Sequence, residues 1–196
     1  FLLALITTNE LSSFSNADHQ VTVEGMEIRR LDRDLQQLGS DSAQAQQILK
    51  DYVNSVVTDE WKRLAQRPQS LSPDSERHLT ALWGEVRRIQ SKFHSSNANL
   101  TGDISRYVLQ IEDARRNRLS ASVNSIPDVV WLMIGMFFVS ACVLYGRSKL
   151  SNYSSQVAFI HMSALGLILA LDIIIDNPFG GDTSISPVWI ADAIAR

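Results

Sequence analysis

The sequence predicts an all-α integral membrane protein, in which a C-terminal two-helix transmembrane hairpin is attached to a helical extramembrane bundle. Three observations predict it. Residues 129–145 (VVWLMIGMFFVSACVLY) carry no charge, and residues 157–175 (VAFIHMSALGLILALDIII) carry one aspartate and one histidine. Each approaches the roughly 20 apolar residues that cross about 30 Å of hydrocarbon. Only the polar loop 146–156 separates them, and Trp131 and Tyr145 stand near the ends of the first, where aromatic side chains mark a membrane–water boundary. Residues 9–125, by contrast, are polar, poor in glycine and proline, and free of sustained strand-like alternation.

Residues 1–6 (FLLALI) are a short apolar run without a basic flank. That is no signal peptide. It reads as the last turns of a further span, so residues 1–8 are the end of a truncated transmembrane helix and the N-terminal span or spans are incomplete. The extramembrane domain, residues 9–126, opens with a helix over about 17–38, where Val21, Ile28 and Leu35 interleave with Leu31 and Leu38 in a heptad-like stripe. Gly39-Ser40-Asp41 stops it and caps the next helix, about 42–66. There Ala45, Ile48, Leu49, Tyr52, Val53, Val56, Val57, Trp61 and Leu64 keep helical spacing throughout. Pro68 ends that helix. Ser72-Pro73-Asp74 starts another, with a capping serine, a proline at the first position and an acid in the first turn. Leu79, Leu82, Trp83, Val86, Ile89 and Phe93 make its apolar face, which His94-Ser95-Ser96-Asn97 breaks. A fourth helix, about 100–125, buries Ile104, Tyr107, Val108, Ile111 and Leu119, and Pro127 marks its junction with the hairpin, residues 127–176. Residues 177–196 form a C-terminal tail. Within it, 185–194 is too short to span and suits the membrane surface, since Trp189 and Ile190 sit among polar residues.

A formal charge of −3 supplies no basic field for nucleic acid. Cys142 is the only cysteine, so no thiol metal site can form, and His19, His78, His94 and His161 lack ligand spacing. No Gly-rich phosphate loop, HExxH pair or GxSxG elbow is present. The chain is therefore expected to be no enzyme and to need no cofactor or metal.

The candidate functional residues lie mainly in the second apolar stretch. At about 100° per residue, His161 and Asp172 fall within about 20° of one another, and Asp176 follows one turn later on nearly the same side. Ionisable residues inside a span are costly and face protein or water. Two readings remain open: a polar stripe for an ion or proton, or interfacial and helix-capping positions. Gly166 and Ala170, with Ser163 one turn earlier, let helix backbones approach in lipid, and Gly135, Ser140 and Ala141 offer a facing surface. Arg115, Arg116 and Arg118 precede the first stretch and could meet anions or lipid headgroups, or pair with Glu112 and Asp113.

Five motifs occur in order: Tyr52-x3-Val56-Val57-x2-Glu60-Trp61; Asp113-x-Arg115-Arg116-x-Arg118-Leu119; Pro127 with Trp131; Asp176-Asn177-Pro178-Phe179-Gly180-Gly181; and Ile185-Ser186-Pro187. The series resembles the bestrophin-like domain family of bacterial membrane proteins, a domain of unknown function. The resemblance implies two N-terminal spans, a helical domain and two further spans. It also marks Asn177, Pro178, Phe179, Gly180 and Gly181 as a turn motif. True bestrophins are pentameric anion channels with a cytosolic helical domain, a more distant likeness.

Arg147 and Lys149 in the short loop, against Asp182 and Asp192 with only Arg196 in the tail, favour a cytoplasmic loop and a periplasmic helical domain, although Arg115, Arg116 and Arg118 pull the other way. The expectation is a multi-pass protein of the cell (inner) membrane, whose partners are the lipid bilayer and either its own copies or a larger membrane complex. Its function is that of a homo-oligomeric channel or transport-type protein, or alternatively of an accessory subunit docking on a larger complex.

Overall fold

The computed structural model describes residues 2–66, 70–93, 98–123, 126–147, 152–181 and 183–194. It is all-α, with no strand among these residues. The first helix, α1 (Leu2–Gln37), runs 36 residues without a break. Sequence patterning alone suggests two pieces, because residues 7–16 (TTNELSSFSN) are poor helix formers. The helix survives because its hydroxyls bond back to its own carbonyls: Thr7 Oγ1 donates to Leu3 O (3.0 Å) and Thr8 Oγ1 to Ala4 O (2.8 Å).

A 3-10 turn at Gly39–Ser42 reverses the chain, with Gly39 at φ +58°, a conformation that favours glycine. Then α2 (Ala43–Ser55), a π-helical turn (Val56–Glu60) and α3 (Trp61–Ala65) follow as one continuous rod. Next come α4 (Pro73–Phe93) and α5 (Ala98–Val123). Proline opens α4 as the spacing predicts, and Ser75 N–H points to the Ser72 hydroxyl. The four units pack into a bundle whose core takes Val21, Ile28, Leu31 and Leu35 from α1, Leu49 and Tyr52 from α2, Leu82 and Val86 from α4, and Val108 and Ile111 from α5.

Beyond the bundle, α6 (Asp128–Arg147) and α7 (Asn152–Ile175) are the two helices long and apolar enough to cross a membrane. None of the residues of α6 is buried. Phe137 is 70% exposed and, on α7, Leu167 is 73% exposed.

The segment after α7 departs from the surface-lying tail that sequence suggests. Ile185, Ile190 and Ala193 enter the bundle core, and the short α8 (Val188–Ala191) docks on α1. Trp189 stays exposed while Ile190 is fully buried. The reason is a close approach at Gly25, where a Cβ would lie 2.7 Å from the Trp189 carbonyl carbon and 3.2 Å from its Cβ.

Candidate functional site

Two groups of buried charge are built on the inward stripe of α1. The first surrounds Glu24, which lies between Val21 and Ile28 and is fully buried. The π-helical turn adds one residue to the α2–α3 rod and turns Glu60 inward, fully buried beside Trp61. From α5, Arg115 and Arg118 extend the apolar row of Ile104, Val108 and Ile111. Arg118 Nε donates to Glu24 (2.9 Å) and its Nη2 to Glu60 (2.7 Å). Arg115 Nη2 donates to Glu60 (2.7 Å), and its Nη1 reaches Glu76 at the bundle edge. Tyr52 OH donates to Glu24 (2.6 Å).

Two guanidiniums thus face two buried carboxylates, and each side chain is held by more than one partner. Burial alone would raise the Glu60 carboxyl, but Arg118 and Arg115 outweigh it and hold Glu60 below its ordinary range. Burial and the Glu24 charge push the Tyr52 hydroxyl well above its usual value, so Tyr52 remains the donor.

This network also clamps the C-terminal turn. The Arg118 guanidinium stacks over the Trp61 ring (5.1 Å), the Trp61 indole N–H donates to the Ile185 carbonyl (3.1 Å), and Phe179 meets Trp61 edge-on (5.3 Å, 89°). Within the turn, Gly180 N–H donates to Asn177 O (3.2 Å), Ile185 N–H donates to the Pro178 carbonyl (2.8 Å), and Gly181 adopts φ +84°. Asn177 approaches the Ala65 carbonyl (3.5 Å), joining the turn to the end of α3.

The arginine cluster therefore needs correcting. Arg115 and Arg118 are buried and paired with Glu60, Glu24 and Glu76; of their guanidinium nitrogens only Arg118 Nη1 has no partner among the described residues, and it is sealed from solvent. Arg116 is exposed and paired with Glu112 one turn away. Of the alternatives the sequence leaves open, pairing with a local acid holds for Arg116 alone of the three. The partners of Arg115 and Arg118 are 39 to 94 positions distant.

The second group lies where α1 passes the end of α7 and the α5–α6 junction. Asp172 is fully buried, and neither of its carboxylate oxygens accepts a hydrogen bond from any described group. One turn on, the buried Asp176 accepts the Ile126 N–H at 2.8 Å, pinning the chain just before Pro127. Glu10, on α1, is also buried, at 7% exposure. Burial, then Asp176, then Asp172 raise its carboxyl above the ordinary range. A cleft of about 680 Å³ opens beside Glu10, with Asn9 and Ser13 on the same wall and Ile126, Pro127 and Val130 opposite. Among the described residues, no three His, Cys, Asp or Glu side chains are placed to hold a metal ion.

His161 does not join them. It is exposed, about 16 Å along α7 from Asp172, with its Nδ1 3.0 Å from the Val157 carbonyl oxygen. The small residues are also uncovered within this chain. Gly135, Ser163 and Ala170 are exposed, Gly166 is half-buried, and a Cβ at Gly135 or Gly166 would meet nothing within 4 Å. Glu10 and Glu24 escaped the sequence reading, and Glu60 entered it only within a motif, although each is an acid standing in an apolar row.

In a comparison with known families, the model of the Bestrophin-like domain matches residues 1–190. No curated protein and no solved structure matches the chain.

Proposed function

The chain belongs to the bestrophin-like family, and from that premise we propose that it is a non-catalytic, multi-pass integral protein of the cell membrane that acts as a homo-oligomeric channel or transport-type protein. The observation that carries this reading is the uncovered surface of α6 and α7. Both helices present long apolar faces such as Leu132, Phe137, Leu144, Phe159 and Leu167, far more than a soluble chain exposes. Lipid is the solvent that suits them.

The small residues Gly135, Ser163, Gly166 and Ala170 support assembly, since they are available on that surface and allow close helix approach between copies. Asp172 and Asp176 give the membrane boundary a polar element at the end of α7, and the exposed Arg147 at the end of α6 fits a cytoplasmic loop with the helical bundle in the periplasm. The rival reading, an accessory subunit of a larger membrane complex, draws on the nearly unbroken apolar surface of α6. A pore needs polar positions, whereas a docking helix does not.

The test is the mass and subunit composition of the particle extracted gently from its native membrane, followed by ion flux in reconstituted vesicles. A symmetric assembly of this chain alone, with flux altered by Asp172→Asn, is expected. Co-extraction at fixed stoichiometry with a larger complex, and no flux from the isolated chain, would replace the channel reading with the accessory one.

A further inference from the structure

Three helices leave a space between them that changes character from one end to the other. At one end, Leu3 and Ile6 of α1, Met133 and Phe137 of α6, and Leu165 and Leu169 of α7 line a groove of about 450 Å³, and every described residue around it is apolar. At the other end lies the cleft of about 680 Å³, where Asn9, Glu10 and Ser13 stand across from Ile126, Pro127 and Val130. Ile6 and Val130 line both, so groove and cleft are neighbouring parts of one slot. The two helix directions agree with this. α1 runs toward the bundle and α6 away from it, which puts Ser13 and Pro127 at the polar end and Leu3 and Phe137 at the apolar end. Each of these stretches covers about 15 Å at the helical rise.

The gradient decides what suits the slot. A helix such as α6 is apolar along its length and has no use for a carboxylate at one end. A bilayer lipid is apolar in depth and polar at the boundary, in the order in which the slot is built. Charge then selects the headgroup. Among the described residues that line the cleft the charged one is Glu10, at 7% exposure, and Asp128 adds an exposed acid in the first turn of α6, next to Pro127. An ammonium group gains a charge-assisted hydrogen bond from such a wall, whereas an anionic headgroup meets like charge. Asn9 and Ser13 carry neutral donors that suit phosphate or ester oxygens.

We propose that this slot holds a phospholipid with a primary-ammonium headgroup, its acyl chain in the groove among α1, α6 and α7 and its ammonium against Glu10. The site rests on the membrane part of the reading above and is independent of conduction. It ties a lipid to the point where the bundle meets the apolar helices, because one occupant touches α1 on one side and the start of α6 on the other.

The test is native mass spectrometry of the full chain, extracted in mild detergent, stripped of lipid and offered phosphatidylethanolamine, phosphatidylcholine or phosphatidylglycerol with identical acyl chains. Expected is retention of phosphatidylethanolamine over phosphatidylglycerol by about tenfold, the order that a hydrogen bond to a charged group supports. Phosphatidylcholine, which keeps the positive charge and loses the N–H donors, should fall between them. Glu10→Gln should abolish the preference while lipid is still retained. Leu165→Trp, which fills the groove, should abolish retention of all three, and Leu132→Trp, on the exposed face of α6, should leave it intact. Equal retention of the three lipids by the unaltered chain overturns the proposal, as does a preference that survives Glu10→Gln or retention that survives Leu165→Trp. A photo-crosslinker at Phe137 that captures a second copy instead of lipid gives the groove to a protein helix and also overturns it. Release of the chain from its membrane by alkaline carbonate would refute the membrane reading together with this one, whereas loss of the lipid preference alone refutes only the lipid site.

Discussion

Replacing Arg118 with methionine removes the one guanidinium that joins Glu24 to Glu60. Both carboxylates are fully buried, as is Arg118 itself. Without it, Glu24 keeps the Tyr52 hydroxyl (2.6 Å) and Glu60 keeps Arg115 (2.7 Å), so two buried negative charges share one cation. Methionine fills most of the arginine stem's volume and limits the cavity. The loss is therefore chiefly electrostatic, and removing one member of a buried ion pair costs about 3–5 kcal/mol. For a chain of this size that is a fall in Tm of roughly 6–20 °C. The assay is thermal or urea unfolding in detergent micelles, read by far-ultraviolet circular dichroism. A second variant, Arg118→Met with Glu24→Gln, leaves Glu60 facing Arg115 with charge balanced, and should recover about 1–3 kcal/mol relative to additive losses. A single-variant cost below about 1 kcal/mol would refute the reasoning, as would strict additivity in the pair: the network would then be decorative.

Four further outcomes are expected. Gly25→Ala forces a Cβ against the Trp189 backbone, which cannot yield as a side-chain tip can; about 1–3 kcal/mol of stability should be lost, and limited proteolysis should release the segment around α8 first. Trp61→Phe leaves the Ile185 carbonyl without its donor and weakens the stack under Arg118; an unfolding free energy lower by about 1–3 kcal/mol is the expected reading, and an unchanged one counts against the clamp. Ser72→Ala removes the hydroxyl that donates to Asp59 (2.6 Å) and faces the Ser75 N–H, with an expected cost of about 1 kcal/mol in the same assay. Stability should also depend on pH with two opposite signs. Glu10, raised above 4.5, should make the fold weaker as pH rises from 4.5 through its folded value, whereas Glu60, lowered below 4.5, should make it weaker as pH falls from 4.5 through its own. In unfolding curves taken across this range, Glu10→Gln should flatten the upper limb alone.

Helix positions were legible wherever apolar spacing and a local end signal coincided. Ser72-Pro73 fixes the start of α4 because capping and proline geometry are local. The apolar runs of α6 and α7 are equally plain, since composition over twenty residues needs no knowledge of partners. What local spacing cannot encode is the pairing of Arg118 with Glu24, 94 positions away, or the inward turn of Glu60, which requires a π-helical residue that no 3.6-residue template contains. A usable signal was present nonetheless. Glu24 falls at i+3 from Val21 and at i−4 from Ile28, and Arg115 and Arg118 sit at i+4 and i+7 from Ile111, so acids and bases interrupt separate apolar rows in matching number. The tail misled for a different reason: Trp189 and Ile190 look interfacial in isolation, and only the close approach at Gly25 makes a seat for Ile190 in the core.

Glu10 and Glu24 lie fourteen positions apart on α1, which brings them within about 40° of one another on the same inward face. One helix therefore carries the same residue type into two buried settings and receives opposite compensation. At Glu24 the bundle supplies a cation through Arg118, whose second carboxylate partner is itself held by Arg115, and the result is a fixed, charge-balanced core. At Glu10 the charges that bear on the carboxyl are those of two more acids, and a cleft of about 680 Å³ opens beside it. The same helix face thus meets one buried carboxylate with a guanidinium in the bundle core and leaves another beside like charge near the junction with the apolar helices, where burial and that charge raise it.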